Sequence, residues 1–281
     1  MEIDRQFDQQ MNERLRKIRH VVLDMDGTIN NGRTLFPFIK DFLVRLESLQ
    51  VGYTFLTNNS SRSVTAYIRK LRGMGLPANR SRIYTSSQAT IDFMHAKFPE
   101  LTRIYVLGTN SLRREFSANG FVVIDDHQDV EPQAVVVGFD TTLNFRKLCR
   151  AAYWIKAGKT FIATHPDLVC PTDQPTLLVD CGAVCAALQA ATGKPPVAVL
   201  GKPDPAMIRG ILQRHDLKND EVAIVGDRLY TDMELARRAN VISVLVLSGE
   251  TTRTDLQNCT QLPDLVLENV SELARLLEQS R

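Results

Sequence analysis

Asp24 and Asp26 stand one residue apart in HVVLDMDGTINNG, directly after the apolar run Val21-Val22-Leu23. In extended backbone, residues i and i+2 point to the same side, so both carboxylates can face one ligand. Gly27 follows and permits a sharp turn whose N–H groups suit an anion. Alone, the pair reads equally as a catalytic pair, a metal site or a polar turn. Three more polar clusters each follow an apolar run: Thr57-Asn58-Asn59 after Tyr53–Leu56, Gly201-Lys202 after Val197–Leu200, and Gly226-Asp227 after Val222–Val225. Two acids facing an anion repel it unless a cation intervenes, and Mg²⁺, which takes oxygen ligands, suits that place. Asp227 adds a further carboxylate. Lys202 offers a point charge to phosphate oxygens, Thr57 a hydroxyl and Asn58 an amide. These parts suit a reaction in which one aspartate attacks phosphorus to give an aspartyl-phosphate. The other would protonate the leaving oxygen and then deprotonate water. Each cluster singly carries little: TNN fits any turn, GKP any loop, and Asp227 and Asp232 in GDRLYTD could merely cap the helix that TDMELARRAN predicts.

The elements that must position these residues show in the same pattern. Val- and Ile-rich runs recur at Ile104–Leu107, Ala134–Val137, Thr160–Ala163 and Val241–Leu247. Segments with helical spacing, such as FIKDFLVRLESLQ and SVTAYIRKLRGMG, lie between most of them. Strands alternating with helices predict parallel α/β architecture. Continuous apolar strands predict a sheet covered on both faces. Ligands of open parallel sheets bind outside the carboxyl ends of the strands, where the four clusters would converge. Between the second and third clusters, TRIYVLGTNSLRREFSANGFVVI and PQAVVVGFDTTLNFRKLCRAAYWIKAGKTFIATHPD predict a separate α/β unit, inserted where it can act as a lid. At the N-terminus, Ile3, Phe7, Met11, Leu15 and Ile18 recur at spacings that predict an amphipathic helix packed on the core.

The 281 residues carry 34 basic and 32 acidic side chains, a net charge of +2. That balance gives no general attraction to nucleic acid or to an acidic membrane surface. No apolar stretch approaches the ~20 residues of a membrane span, and the polar N-terminus has no signal-peptide core. Five cysteines, an odd number without a CxxC, point to a reduced, cytoplasmic setting. Cys181 and Cys185 read as buried structural thiols. GMGLPA at 73–78 follows a helical pattern instead of a strand, which argues against dinucleotide binding. Gly201-Lys202 and Gly193-Lys194 lack the earlier glycine of a P-loop and are each followed by proline. There is no Gly-x-Ser-x-Gly elbow, and the five histidines show no metal-ligand spacing.

DMDGT, TNN, GKP and GDRLYTD, in this order, resemble the four motifs of the haloacid dehalogenase-like phosphatases. FIATHPD, DCGAVCAALQAATGKPP and VLVLSGETT are similar to the NagD-like, 4-nitrophenylphosphatase-like subfamily, which carries a large cap. The resemblance implies a Rossmann-like doubly wound parallel-sheet core with an inserted α/β cap. On it, residues 1–85 and 181–281 form the discontinuous core, including an N-terminal helix within 1–19, and 86–180 form the cap. It implies Asp24 as nucleophile and Mg²⁺ ligand, and Asp26 as acid/base with a main-chain Mg²⁺ contact. Thr57, Asn58 and the Gly27 backbone would hold the phosphoryl group. Lys202 would orient Asp24 and the phosphate, Asp227 would complete the metal site, and Asp232 would support it from outside. Family dehalogenases lack the second aspartate, so Asp26 favours phosphate chemistry. In the cap, His165-Pro166-Asp167 stands where the subfamily often has Asn-Pro-Asp. His165 and Asp167 are therefore the residues expected to bear on substrate choice, His165 either by contact or by holding its loop.

The expected activity is Mg²⁺-dependent hydrolysis of small phosphomonoesters, such as nucleoside monophosphates or sugar phosphates. The expected partner is a small phosphorylated metabolite, with no nucleic acid polymer and no membrane; a homo-oligomer is compatible with the chain. The rival readings are a phosphotransferase using the same site and a non-catalytic phosphometabolite-binding protein.

Overall fold

The computed structural model describes residues 2–32, 34–128, 130–172 and 174–281, with side chains described from residue 9. The chain divides into two compact units, one of residues 1–56, 73–82 and 211–281, the other of residues 57–72 and 83–210. This packing division gives the second unit segments 57–72, 83–85 and 181–210 in addition to 86–180.

The first unit is built on parallel strands in the order Leu265–Leu267, Ile242–Val246, Val222–Gly226, His20–Asp24 and Gly52–Thr57. Four of these were expected from apolar runs; the three-residue edge strand Leu265–Leu267 is too short to show periodicity. His20–Asp24 is central, with its sequence neighbour on one side and a distant strand on the other. That is the topological switch point at which α/β sheets bind ligands. Leu23 is in register with Val225 and Asp24 with Leu56, so Asp24 and Gly226-Asp227 emerge from adjoining carboxyl ends. The helix Glu2–Arg16 is present, with Met11, Leu15 and the following Ile18 buried; the side chains of Ile3 and Phe7 lie outside those described. It packs on the C-terminal helix Val270–Gln279.

The second unit repeats the principle. Its parallel sheet runs Ala198–Val199, Thr160–Ala163, Ala134–Val137, Arg103–Leu107 and Val122–Ile124. Alternate residues serve opposite faces. Tyr105, Leu107, Val135, Val137 and Phe161 pack with helices Phe145–Lys156 and Cys181–Thr192. Ile104, Val106, Ala134, Val136 and Ile162 pack with side chains of Ser86–Lys97 and Asn110–Ala118. Both faces are thus covered, which is why these strands read as continuous apolar runs. Among the described residues, no helix is long and apolar enough to cross a membrane.

Candidate active site

The first unit holds Asp24, Asp26, Gly27, Asp227 and Asp232. Carboxylate oxygens of Asp24, Asp227 and Asp232 lie within 4.8 Å of one another, and all three residues are buried. Two local features build the cluster. Gly27 takes a φ of +91°, open to glycine, and a Cβ there would stand 2.1 Å from Asp227 Oδ2. Leu229–Met233 forms a π-helical turn, in which Met233 N donates to Arg228 O at 3.2 Å. This wider turn, a feature frequent at functional sites, carries Asp232 so close to Gly226 that a Cβ there would lie 2.2 Å from its Cγ. Neither Asp227 nor Asp232 caps the helix Glu234–Ala239, whose N-terminus has no side-chain cap. The capping reading therefore fails.

One carboxylate of the cluster, Asp227, keeps an oxygen open. Asp227 Oδ2 accepts from Glu250 N at 2.7 Å, while its Oδ1 is buried with no hydrogen-bond partner. Burial first, then the charges of Asp24 and Asp232, push the Asp227 carboxyl up to about 7. Three converging carboxylates with an orphaned buried oxygen fit a hard divalent cation such as Mg²⁺. The Asp26 side chain stands outside the trio and accepts from Asn30 Nδ2 at 2.6 Å. Ser248 Oγ donates to Gly27 O at 2.8 Å, and Tyr230 and Arg228 both bind Glu250. Arg228, Ser248 and Glu250 escaped the sequence reading because their partners are distant in sequence or are main-chain atoms; Asn30 escaped it although its partner Asp26 is four residues away.

The second unit holds Thr57, Asn58, Lys202, His165 and Asp167. The Asn58 side chain is fully committed: Nδ2 donates to both Asp167 carboxylate oxygens, at 3.1 and 3.2 Å, and to Lys202 O at 3.0 Å. Its Oδ1 accepts from Lys202 N at 2.6 Å. Thr57 Oγ1 accepts from Asn59 N at 3.2 Å. His165 is enclosed, with Nε2 2.9 Å from Asp180 Oδ1 and Nδ1 2.8 Å from Thr164 Oγ1. Burial opposes a charge on this ring, but Cys181, the Asp180 hydrogen bond and charge, and Asp167 raise it to about 9. Asp180 is the residue here that motif reading did not single out.

Residues 21–122 match the family model of haloacid dehalogenase-like hydrolases, and residues 199–273 match a second, HAD-hydrolase-like model. The chain belongs to the haloacid dehalogenase-like hydrolases, in the NagD-like, 4-nitrophenylphosphatase-like subfamily. The ribonucleotide monophosphatase NagD of Escherichia coli K12 is 31% identical over 256 residues, covering 91% of this chain and 98% of NagD. A 4-nitrophenylphosphatase structure from Thermotoga maritima is 40% identical with a TM-score of 0.87, covering 93% and 98% of the two chains. A glycerol phosphate phosphatase of Mycobacterium tuberculosis, solved with magnesium, is 30% identical with a TM-score of 0.84, covering 93% of this chain and 78% of the other.

Proposed function

We propose that this chain is a Mg²⁺-dependent phosphatase that hydrolyses small phosphomonoesters, nucleoside monophosphates or sugar phosphates, through an aspartyl-phosphate. The observation that carries this reading is the buried trio Asp24, Asp227 and Asp232, crowded together with an unpartnered Asp227 oxygen. Relatives named for ribonucleotide, nitrophenyl and glycerol phosphates support the substrate class. Asp24 and Asp227, with the Asp26 main-chain oxygen, would hold Mg²⁺, and Asp232 supports the trio. The cation offsets the charge on the transferring group.

Asp24 attacks phosphorus. Asp26, oriented by Asn30 and entering as the protonated carboxyl, protonates the leaving oxygen as its bond to phosphorus breaks. As a carboxylate it then takes a proton from the water that attacks phosphorus and releases phosphate and the Asp24 carboxylate. Thr57 and the Asn58 main chain receive the phosphoryl oxygens, and Lys202 supplies positive charge to them. The expected Gly27 contact is not available as the chain stands, because Gly27 N donates to Asn30 O at 2.8 Å and Gly27 O accepts from Ser248 Oγ at 2.8 Å. The insertion at 86–180 is the substrate-selecting domain for a cytoplasmic metabolite, and Asp167 belongs to its selecting loop. The test is phosphate release from a panel of nucleotides, sugar phosphates and pyridoxal phosphate, with Mg²⁺ and with EDTA. Turnover restricted to the Mg²⁺ arm is expected; ligand binding with no turnover anywhere on the panel would revive the non-catalytic reading. Appearance of phosphate on an added sugar in place of free phosphate would instead favour transfer.

A further inference from the structure

We propose that His165 and Asp180 form a buried positioning pair that fixes Asn58 and the Lys202 main chain in the register that phosphoryl binding requires. This rests on the phosphatase reading above and assigns the pair a role in phosphate affinity, not in metal binding or proton transfer.

Two routes lead from the pair to Lys202. The first runs through the backbone of the loop. Asp180 caps the helix Cys181–Thr192, accepting from Cys181 N at 2.6 Å. Asp180 N donates to Leu168 O at 2.9 Å and Gly182 N to Asp167 O at 2.8 Å. The start of that helix therefore pins residues 167–168, and Asp167 in turn receives the Asn58 amide. The second route is direct packing. Gly201 has a φ of +77°, and a Cβ there would lie 2.5 Å from His165 Cβ and 2.9 Å from Asn58 Oδ1. The His165 backbone and the Asn58 amide thus form the wall against which the Gly201-Lys202 turn is laid. Asn58 then grips both main-chain polar groups of Lys202.

A buried acid–base pair is an expensive way merely to fill a loop, because desolvation can exceed the Coulombic gain. Its return is a single geometry. Both imidazole nitrogens are engaged, and Thr164 Oγ1 reaches on to Ser60 Oγ at 3.1 Å, two residues past Asn58. The ring therefore ties the loop at 164–168, the helix cap at 180 and the segment after the Gly52–Thr57 strand into one network. The side chain at 165 acts on phosphate through Asn58 and Lys202, not by touching it.

The test uses the full chain and three variants, His165→Asn, Asp180→Asn and the double variant. Each is assayed for turnover of 4-nitrophenyl phosphate, inhibition by inorganic phosphate, the Mg²⁺ concentration for half-activation, and thermal melting. Loosening by about 1 Å can cost up to ~100-fold, so kcat/KM is expected to fall at least about tenfold in each single variant, with weaker phosphate inhibition. Mg²⁺ half-activation should stay within about twofold, because the His165 and Asp180 side chains bond to Thr164, Cys181 and each other and not to a carboxylate of the trio. The double variant should lose less than the product of the singles. A folded single variant with wild-type kcat/KM and phosphate inhibition overturns the proposal. So does a shift in Mg²⁺ half-activation as large as that in phosphate inhibition. If the singles melt below the assay temperature, the double variant, which leaves no unpaired buried charge, is read by the same criteria. Absence of turnover in the wild-type chain would fault the phosphatase reading itself, whereas normal wild-type turnover with unaffected variants faults the pair alone.

Discussion

Two buried polar clusters in this chain are built on opposite principles. The Asp24, Asp227 and Asp232 trio is open: three carboxylates converge and Asp227 Oδ1 has no partner. The network of Asn58, Asp167, Lys202 main chain, His165 and Asp180 is closed: the Asn58 amide and both His165 ring nitrogens have partners. Like charges held together in low dielectric cost stability until a cation joins them. A satisfied network stabilises one geometry without any ligand. The first cluster is thus arranged for chemistry, the second for holding a shape, and substitutions in the two should differ in sign as well as size.

The largest expected effect is on turnover. Asp24→Asn should lower kcat by about 10⁴-fold or more, as loss of a nucleophile does, measured with 4-nitrophenyl phosphate and saturating Mg²⁺. Wild-type turnover by the purified variant would remove Asp24 from its proposed role. Melting of this variant in EDTA should not fall, because one of three crowded charges is gone.

Asp227→Asn sharpens the contrast further. Mg²⁺ half-activation should rise at least about tenfold, on the scale of losses seen when metal sites are disturbed. Its midpoint in EDTA should meanwhile exceed that of the wild type. Asn58→Ala should do the reverse: Mg²⁺ half-activation unchanged, but stability lower by about 1–3 kcal/mol because Lys202 N and Asp167 lose their partner. Denaturant midpoints with and without Mg²⁺ check both, and a stabilising Asn58→Ala would refute the closed-network description.

Much of this contrast was legible before any coordinates. Asp24, Asp227, Thr57 and Lys202 stood out because each follows an apolar run, buried before the first three and exposed at Val197 and Val199 before the last, and strand ends are where an α/β sheet presents polar groups. A second α/β unit was legible because its central strands Arg103–Leu107, Ala134–Val137 and Thr160–Ala163 are apolar on both faces. What stayed hidden has physical reasons. The π-helical turn that brings Asp232 into the trio leaves no mark in a 3.6-residue pattern. The Glu250 contact to Asp227 is made by a main-chain N–H, which any residue could supply. The partner of His165 is Asp180, across a two-stranded hairpin of Val169–Cys170 and Leu178–Val179, and no local spacing links them. The Asn58 amide reads as a ligand donor in sequence, whereas the fold commits it to Asp167 and Lys202.

The smallest effects lie in the pH dependence of stability, and there the two clusters occupy different windows. Asp227 is raised from 3.8 to about 7, so the metal-free fold favours its protonated form. The stability this adds is complete below about pH 4 and is lost as pH rises to about 7, on the order of 4 kcal/mol. Mg²⁺ reverses that preference by pairing with the carboxylate, so the EDTA and Mg²⁺ curves should diverge progressively across this window. His165 is raised from 6.5 to about 9 among Asp180, Asp167 and Cys181. Its contribution, on the order of 3 kcal/mol, is complete below about pH 6.5 and is lost as pH rises through about 9, with or without Mg²⁺. Urea midpoints of wild type, Asp227→Asn and His165→Asn from pH 4 to 9 separate the two. Asp227→Asn should abolish the Mg²⁺-sensitive window alone, and His165→Asn the alkaline one alone. Coincident EDTA and Mg²⁺ curves between pH 4 and 7 would show that Asp227 does not pair with the cation.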